Sequence, residues 1–338
     1  MFVKEAWYVA ATVSEVGRKP LARTVCGEPV VFFRTEDGAP RALVDRCIHR
    51  RLPLSKGKLV GDRLVCGYHG FTYDADGRCV AVPGQDRVPR RAAVRAYPVV
   101  EKFGWIWVWM GDPGNADAAL LPAMPGLDED GWVPFRDRLH VKAHYQLLVD
   151  NLIDLSHETY VHTSSIGNDA VAETPIESRR EGNEVFVDRV MRDVPPPPFF
   201  AAAAGNDANI DRYQLVHFQP PCYVHVEVRA VPPGENDPNA GVRFFVLDCL
   251  TPETEATTNY FWAVSRNFRL ADGAFGEWWH RIVCGIFEED RAILEAQQAS
   301  IETDTSGLRT VDVGIDGGTI LARQVVNGLL AAENGAVP

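Results

Sequence analysis

Cys66-Gly67-Tyr68-His69-Gly70, read together with Cys47-Ile48-His49, decides how the N-terminal part of this chain folds. The two halves form one C-x-H…C-x-x-H constellation joined by a single loop of ~16 residues. Two thiolates on one iron and two imidazoles on the other is the ligand set of a Rieske [2Fe–2S] cluster. Neutral imidazoles raise the potential above that of an all-cysteine cluster, giving a one-electron relay of moderate potential. A Cys₂His₂ zinc site has the same ligand count. Against zinc, each cysteine is paired with a histidine rather than with another cysteine. The segment Gly67 to Gly70 is also a turn suited to exposing one imidazole edge.

Working outward, residues 1–115 read as an all-β domain of short strands broken by turns. Glu28 to Arg34 is a strand, Phe71 to Val80 a hairpin over an Asp76-Gly77 turn, and Val99 to Trp109 a further apolar strand. Trp105, Trp107 and Trp109 alternate and so share one face, as core residues do. The polar stretch Gly111 to Asp117 sets the expected boundary, leaving 116–338 as a second domain. Strand-like sequence from Arg138 to Val149 passes there into a helical block from about Asp150 to Val161. Alternating patterns at 184–190, 223–228, 242–247 and 257–262 predict antiparallel strands. A long amphipathic helix is expected over Gly276–Glu302 and another over Thr319–Glu333. The proline run at 195–198 with its alanine tail, and 232–237, read as loops.

The helical block carries a second candidate metal site. His157 and His162 are five apart, unlike the i,i+4 pair of a zincin, and on a regular helix they diverge by roughly 140°. They meet on one metal only if the helix distorts or ends between them. Two histidines and one carboxylate make the facial triad of non-haem Fe(II) oxygenases. Asp290 is the carboxylate chosen, with Glu288 and Glu289 as competitors. The remaining histidines read as structural, although His217 is placed near the pocket.

A net charge of −12 and the lack of a basic stripe argue against nucleic acid as a partner. No basic start followed by an apolar run, and no run of ~18 apolar residues, is found, so a cytoplasmic protein without a membrane span is expected. Cys26, Cys79, Cys222, Cys249 and Cys284 are scattered singly, and each reads as a small buried hydrophobe in a reducing compartment.

Asn151-Leu-Ile-Asp154-Leu-Ser-His157-Glu-Thr-Tyr-Val-His162 after a Rieske motif resembles the oxygenase component of Rieske non-haem iron oxygenases. The likeness extends over nearly the whole chain and looks closest to vanillate O-demethylase oxygenases. The resemblance implies an α+β protein: a Rieske β domain, then a helix-grip catalytic domain with a curved antiparallel sheet around a long helix. It implies that Cys47, His49, Cys66 and His69 hold the [2Fe–2S] cluster, and that Asp290 completes the triad with His157 and His162. Asp154 would link a cluster histidine of an adjacent chain, His69, to His157 within a head-to-tail homotrimer, and Asn151 falls close to the iron. Electrons would come from NADH through a separate flavin/iron–sulfur reductase, with O₂ as co-substrate, to demethylate a small aromatic such as vanillate with release of formaldehyde. Hydroxylation or N-demethylation of another aromatic, and a pure Rieske electron carrier, are the alternatives. Arg243, Asn259, Tyr260 and Arg281 lie on segments able to anchor a substrate carboxylate, and the segment 195–209 is placed at the pocket mouth. The family usually has Cys-Pro-His-Arg-Gly at the first half-motif; here Ile48 stands for proline and Arg51 for glycine, placing a charge beside the cluster.

Overall fold

A computed structural model describes residues 1–335; of the expected catalytic region 116–338, residues 336–338 lie outside the described residues. The chain divides into two compact units, Met1–Leu121 with Thr251–Thr254, and Pro122–Leu250 with Glu255 onward.

The first unit is built of short strands: β1 (Trp7–Thr12), β2 (Leu21–Val25), β3 (Glu28–Arg34) and β4 (Pro40–Val44). Next come β5 (Lys58–Val60), β6 (Arg63–Val65), β7 (Thr72–Tyr73) and β8 (Cys79–Ala81). β9 (Ala96–Tyr97), β10 (Val99–Lys102) and β11 (Trp105–Trp109) close the unit. They make three antiparallel sheets, in the orders β1-β11-β10, β2-β3-β4-β9 and β5-β6-β7-β8. Every residue of β11 is buried, so its tryptophans and the alternate Ile106 and Val108 all pack inside. Val31, Phe33, Leu43, Leu54, Leu64 and Tyr73 form a core that takes in Cys47 and Cys66.

The second unit centres on one antiparallel sheet. Its strands are β12 (Val133–Val141), β13 (Glu177–Glu181), β14 (Glu184–Val194), β15 (Ile210–Gln219), β16 (Tyr223–Val231), β17 (Val242–Thr254) and β18 (Thr257–Arg266). Their order is β12-β18-β17-β16-β15-β14-β13. The helices are α1 (Tyr145–Ile153), α2 (Glu158–Val161), α3 (Asp169–Glu173), α4 (Pro198–Ala204), α5 (Gly273–Thr303) and α6 (Gly317–Glu333). The sheet carries α5 on one face, where Phe287 stacks on Trp262 with ring centres 4.3 Å apart.

Two expectations fail here. Residues 145–149 are helix, not strand: His144 caps α1 by accepting from Gln146 N at 3.3 Å, and Tyr145, Leu147, Leu148 and Val149 are buried along it. The proline–alanine segment is not all loop, because Pro198 fits the first turn of α4 and Gly205, at φ 76°, ends it. β15 and β13 were not anticipated.

The elements around α1 are drawn tightly together. A Cβ on Gly318 would sit 2.4 Å from Val187 Cγ2 and 2.7 Å from Ile153 Cγ2, so α6 meets β14 and α1 at a distance only glycine allows. Arg323 of α6 pairs with Asp150 of α1, Nε lying 3.1 Å from both carboxylate oxygens.

Candidate metal centres and pocket

In the first unit, two turns of matching design present the four cluster candidates. Cys47 N donates to Leu52 O at 2.9 Å while Arg51 N donates to Cys47 O at 2.9 Å; likewise Cys66 N donates to Phe71 O at 2.8 Å and Gly70 N to Cys66 O at 3.1 Å. Each turn needs left-handed backbone four residues after its cysteine, and Gly70 (φ 70°) and Arg51 (φ 59°) supply it. The position where the family usually has glycine is therefore one where an arginine is strained. Cys47 and Cys66 are buried, whereas His49 and His69 are exposed with ring centres 4.6 Å apart. Thiolates inside and imidazoles at the surface suit a Rieske cluster, in which the two cysteines would hold one iron and the two histidines the other. Tyr73 lies with its hydroxyl 3.1 Å from Cys47 Sγ and accepts from Ile48 N at 3.2 Å. Burial and Cys47 push that phenol's pKa well up, so it stays a protonated donor.

In the second unit, α2 is a single turn, with His157 as its N-cap and His162 as its C-cap. Backbone bonds fix this turn: Val161 N donates to His157 O at 2.9 Å and His162 N to Glu158 O at 3.1 Å. The helix ends at His162, which is how two histidines five apart come to share a centre. Asp290 Oδ1 lies 3.2 Å from His162 Nε2 and 3.5 Å from His157 Nε2. Adjacent ligands at right angles on one metal stand about 3 Å apart. The three offer one ligand atom each within 4.8 Å of one another. Burial alone would raise Asp290, but hydrogen bonds with His157 and His162 hold its carboxyl down to about 2.

The choice among the three acidic neighbours has a packing cause. The buried stripe of α5 runs Phe275, Trp279, Val283, Phe287, Asp290, Leu294 and Gln298, so Asp290 is the carboxylate on the inward face. Glu288 pairs outside with Arg291 at 2.7 Å. Glu289 instead takes the far side of His162, with Oε2 2.7 Å from Nδ1. His157 Nδ1 is held by the Asp154 carbonyl. Both histidines thus turn Nε2 to the centre. Asn151 donates to Asp290 Oδ1 at 3.3 Å. The Asp154 carboxylate accepts from Ser156, through N at 2.8 Å and through Oγ.

These three ligand candidates line one cavity with Phe199 and Phe200 of α4, Phe244 and Val246 of β17, Val264, and Ile286 and Phe287 of α5. Its polar wall is Glu158, Arg212 and Gln214. Arg212, buried, donates through Nη2 to Glu158 Oε2 at 2.8 Å and through Nη1 to Ile166 O at 2.8 Å, and Gln214 Nε2 donates to Glu158 Oε1 at 2.5 Å. The guanidinium also covers the Phe200 ring at 4.5 Å.

The four substrate residues expected from sequence do not line this cavity. Phe244 and Val246 face it, so strand alternation turns Arg243 to the other face, onto Glu227 at 2.7 Å and Asn239 at 3.0 Å. Asn259 is buried opposite His140 in the β12–β18 ladder. Tyr260 donates to Asp248 Oδ1 at 2.7 Å. Arg281 is exposed, on the side of α5 away from Val283, Ile286 and Asp290. His217 pairs with Glu184 at 2.9 Å and is likewise absent from the lining. The polar wall that sequence reading missed had a signal: Arg212, Gln214, Val216 and Phe218 alternate along β15 and share its buried face.

Comparison with known proteins places the chain in a family. Residues 6–98 match the Rieske [2Fe-2S] domain family, and residues 141–332 match the vanillate O-demethylase oxygenase C-terminal domain family. The chain is 39% identical to a vanillate O-demethylase oxygenase subunit of Pseudomonas sp. strain HR199, over 99% of this chain and 97% of that one. It is 37% identical to a toluene-4-sulfonate monooxygenase iron–sulfur subunit (TsaM2, so named as putative) of Comamonas testosteroni, over 99% of both. Crystalline dicamba monooxygenase bound to 3,6-dichlorosalicylic acid superposes with a TM-score of 0.93 at 31% identity, over 98% of this chain and 99% of that one. Among the described residues no helix is long and apolar enough to cross a membrane. The chain belongs to the vanillate O-demethylase oxygenase family of Rieske non-haem iron monooxygenases, with a [2Fe–2S] cluster and a mononuclear iron as its cofactors and a separate reductase as its electron source.

Proposed function

We propose that this chain is the oxygenase component of a system that O-demethylates a methoxybenzoate such as vanillate. Cys47 and Cys66 are assigned to one cluster iron, His49 and His69 to the other, and His157, His162 and Asp290 to the mononuclear iron. The observation that carries this reading is the convergence of His157, His162 and Asp290 on an apolar cavity of aryl-lined walls. The bound iron supplies O₂ activation, which an unactivated methyl C–H requires. In balance, the methoxyarene, O₂, NADH and a proton give the phenol, formaldehyde, water and NAD⁺.

The protein's own groups orient and enclose. Glu289 and the Asp154 carbonyl fix the two imidazoles, Asn151 steadies Asp290, and the phenylalanines exclude water. Arg212 and Gln214, in place of Arg243, Asn259, Tyr260 and Arg281, are the polar groups beside the ring. Asp154 is assigned the link between His157, held through its carbonyl, and His69 of a neighbouring chain, reached through its carboxylate, in a homotrimer. Ile48 and Tyr68, 50% and 61% exposed beside the cluster histidines, and Tyr160, 77% exposed beside His157, favour such an assembly. A cytoplasmic location suits an NADH-dependent partner.

A single turnover tests the substrate. The iron-replete protein is reduced chemically and given vanillate and O₂, and near-stoichiometric formaldehyde with the demethylated acid is expected. Absence of both products from protein with full iron would remove vanillate. Methyl hydroxylation of another aromatic, favoured by the similarity to the toluene-4-sulfonate subunit, would then be tried on a substrate panel.

A further inference from the structure

Of the five scattered cysteines, Cys284 alone is not fully buried. It sits on α5 one turn after His280, so the two side chains share a face, and Asp137 of β12 stands opposite them. His280 Nε2 is 3.7 Å and Cys284 Sγ 3.9 Å from the same oxygen, Asp137 Oδ2. The first distance is too long for a hydrogen bond and the second is at the limit for sulfur, so the three groups converge without closing on one another. A tetrahedral zinc ion holds oxygen and nitrogen ligands about 3.4 Å apart, and oxygen and sulfur about 3.6 Å apart. The other Asp137 oxygen is occupied, accepting from Arg138 N at 2.7 Å, which leaves Oδ2 turned to the helix. Phe135 sets its ring edge against His280, the centres 4.8 Å apart.

We propose that Asp137, His280 and Cys284 form a binding site for a zinc-class divalent cation, additional to the two iron centres. Each contributes one ligand, and water fills the fourth position, because Glu288, the next acidic group along the helix face, is committed to Arg291 at 2.7 Å. Oxygen, nitrogen and sulfur in one set suit a borderline-soft cation and disfavour magnesium or calcium. Half-exposed Asp137 and His280 give the ion a path from solvent. The site is separate from the iron triad: Asp290 lies six residues on, roughly 9 Å along α5 and about 120° round it. Binding exchanges the Cys284 S–H for an S–metal bond and passes the proton to buffer. Burial, with help from Asp137 and then Glu288, pushes this thiol up to about 11, so uptake strengthens as pH rises.

The test equilibrates iron-replete protein with Zn²⁺ against a competing chromophoric chelator, and zinc and iron are then counted in the same sample. The wild type is expected to take up about one zinc per chain with its iron unchanged, and Cys284→Ser and His280→Ala each to weaken that uptake by at least about tenfold. Co²⁺ in place of Zn²⁺ should add a sulfur-to-metal absorption band, absent from Cys284→Ser. Far-UV circular dichroism and mononuclear iron content of both variants should match the wild type, which reports folding of the unit that holds the site; if His280→Ala fails that check, His280→Gln takes its place. Zinc uptake unchanged in Cys284→Ser, or matched by iron lost, overturns the proposal.

Discussion

The two units each place a pair of histidines at a candidate iron centre, and they place them in opposite surroundings. His49 and His69 are exposed over buried cysteines, while His162 is 1% exposed and His157 lies against an apolar cavity. The difference teaches what each centre does. Electrons arrive through contact with another protein, so the ligand edges belong at the surface. Oxidation of a methyl group needs water kept away, so those ligands belong inside. The imidazole is the same in both, and the packing round it sets its task.

Asp290→Ala is the sharpest test of that separation. It should lower formaldehyde yield and mononuclear iron by at least about 100-fold, with the cluster's visible spectrum intact. Loss of the cluster as well would show that the centres are not independently built.

Arg212→Met asks how much the enclosed centre depends on its polar wall. It leaves Glu158 buried without its cation, a loss of about 3–5 kcal/mol in urea denaturation. The exposed pair Arg18–Asp62 of the other unit should cost under about 1 kcal/mol when removed.

Burial also leaves a mark on pH dependence. Asp248, fully buried, is pushed up to about 8 from 3.8, chiefly by desolvation; the Tyr260 hydrogen bond opposes this and Asp290 adds to it. The unfolded chain therefore releases a proton near 3.8 that the folded chain keeps until about 8. Its contribution is complete below the lower value and is lost as pH rises, by at most about 1.4 kcal/mol per unit. Asp248→Asn should flatten that slope in denaturation series between pH 5 and 8.

The surface centre predicts smaller effects. Tyr73→Phe removes a donor to Cys47, about 1 kcal/mol of support for the reduced cluster, and redox titration should read a potential lower by about 40 mV. Arg51→Gly relieves a left-handed arginine while adding freedom to the unfolded chain, a net gain of under about 1 kcal/mol in thermal unfolding.

How much of this was legible varied with the range of the interaction. The cluster loops, the long helix and the strands at 184, 223, 242 and 257 carry local signals, and the structure has all of them. Asp290 could have been picked by periodicity alone, since it continues the stripe through Phe287 and Leu294 while Glu288 and Glu289 leave it. The substrate anchors went astray because face matters more than segment. Arg243 is one residue from a cavity-lining phenylalanine and points the other way. Arg212 lies in β15, whose mixed polar sequence hid it, and its partner Glu158 comes from 54 residues earlier in the chain. Proline before alanines reads as loop until Phe199 and Phe200 are seen packing inward.

The single turn between His157 and His162 carries a consequence for how this sequence can vary. Its spacing is measured out by main-chain bonds from Val161 and His162 to the carbonyls behind them. Whatever else they do, as Thr159 Oγ1 does in donating to Asn168 O at 3.0 Å, the residues between the two histidines are fixed in number. One residue more or fewer would swing the second imidazole about 100° round the turn, so in this stretch an insertion or deletion is expected to abolish iron binding outright.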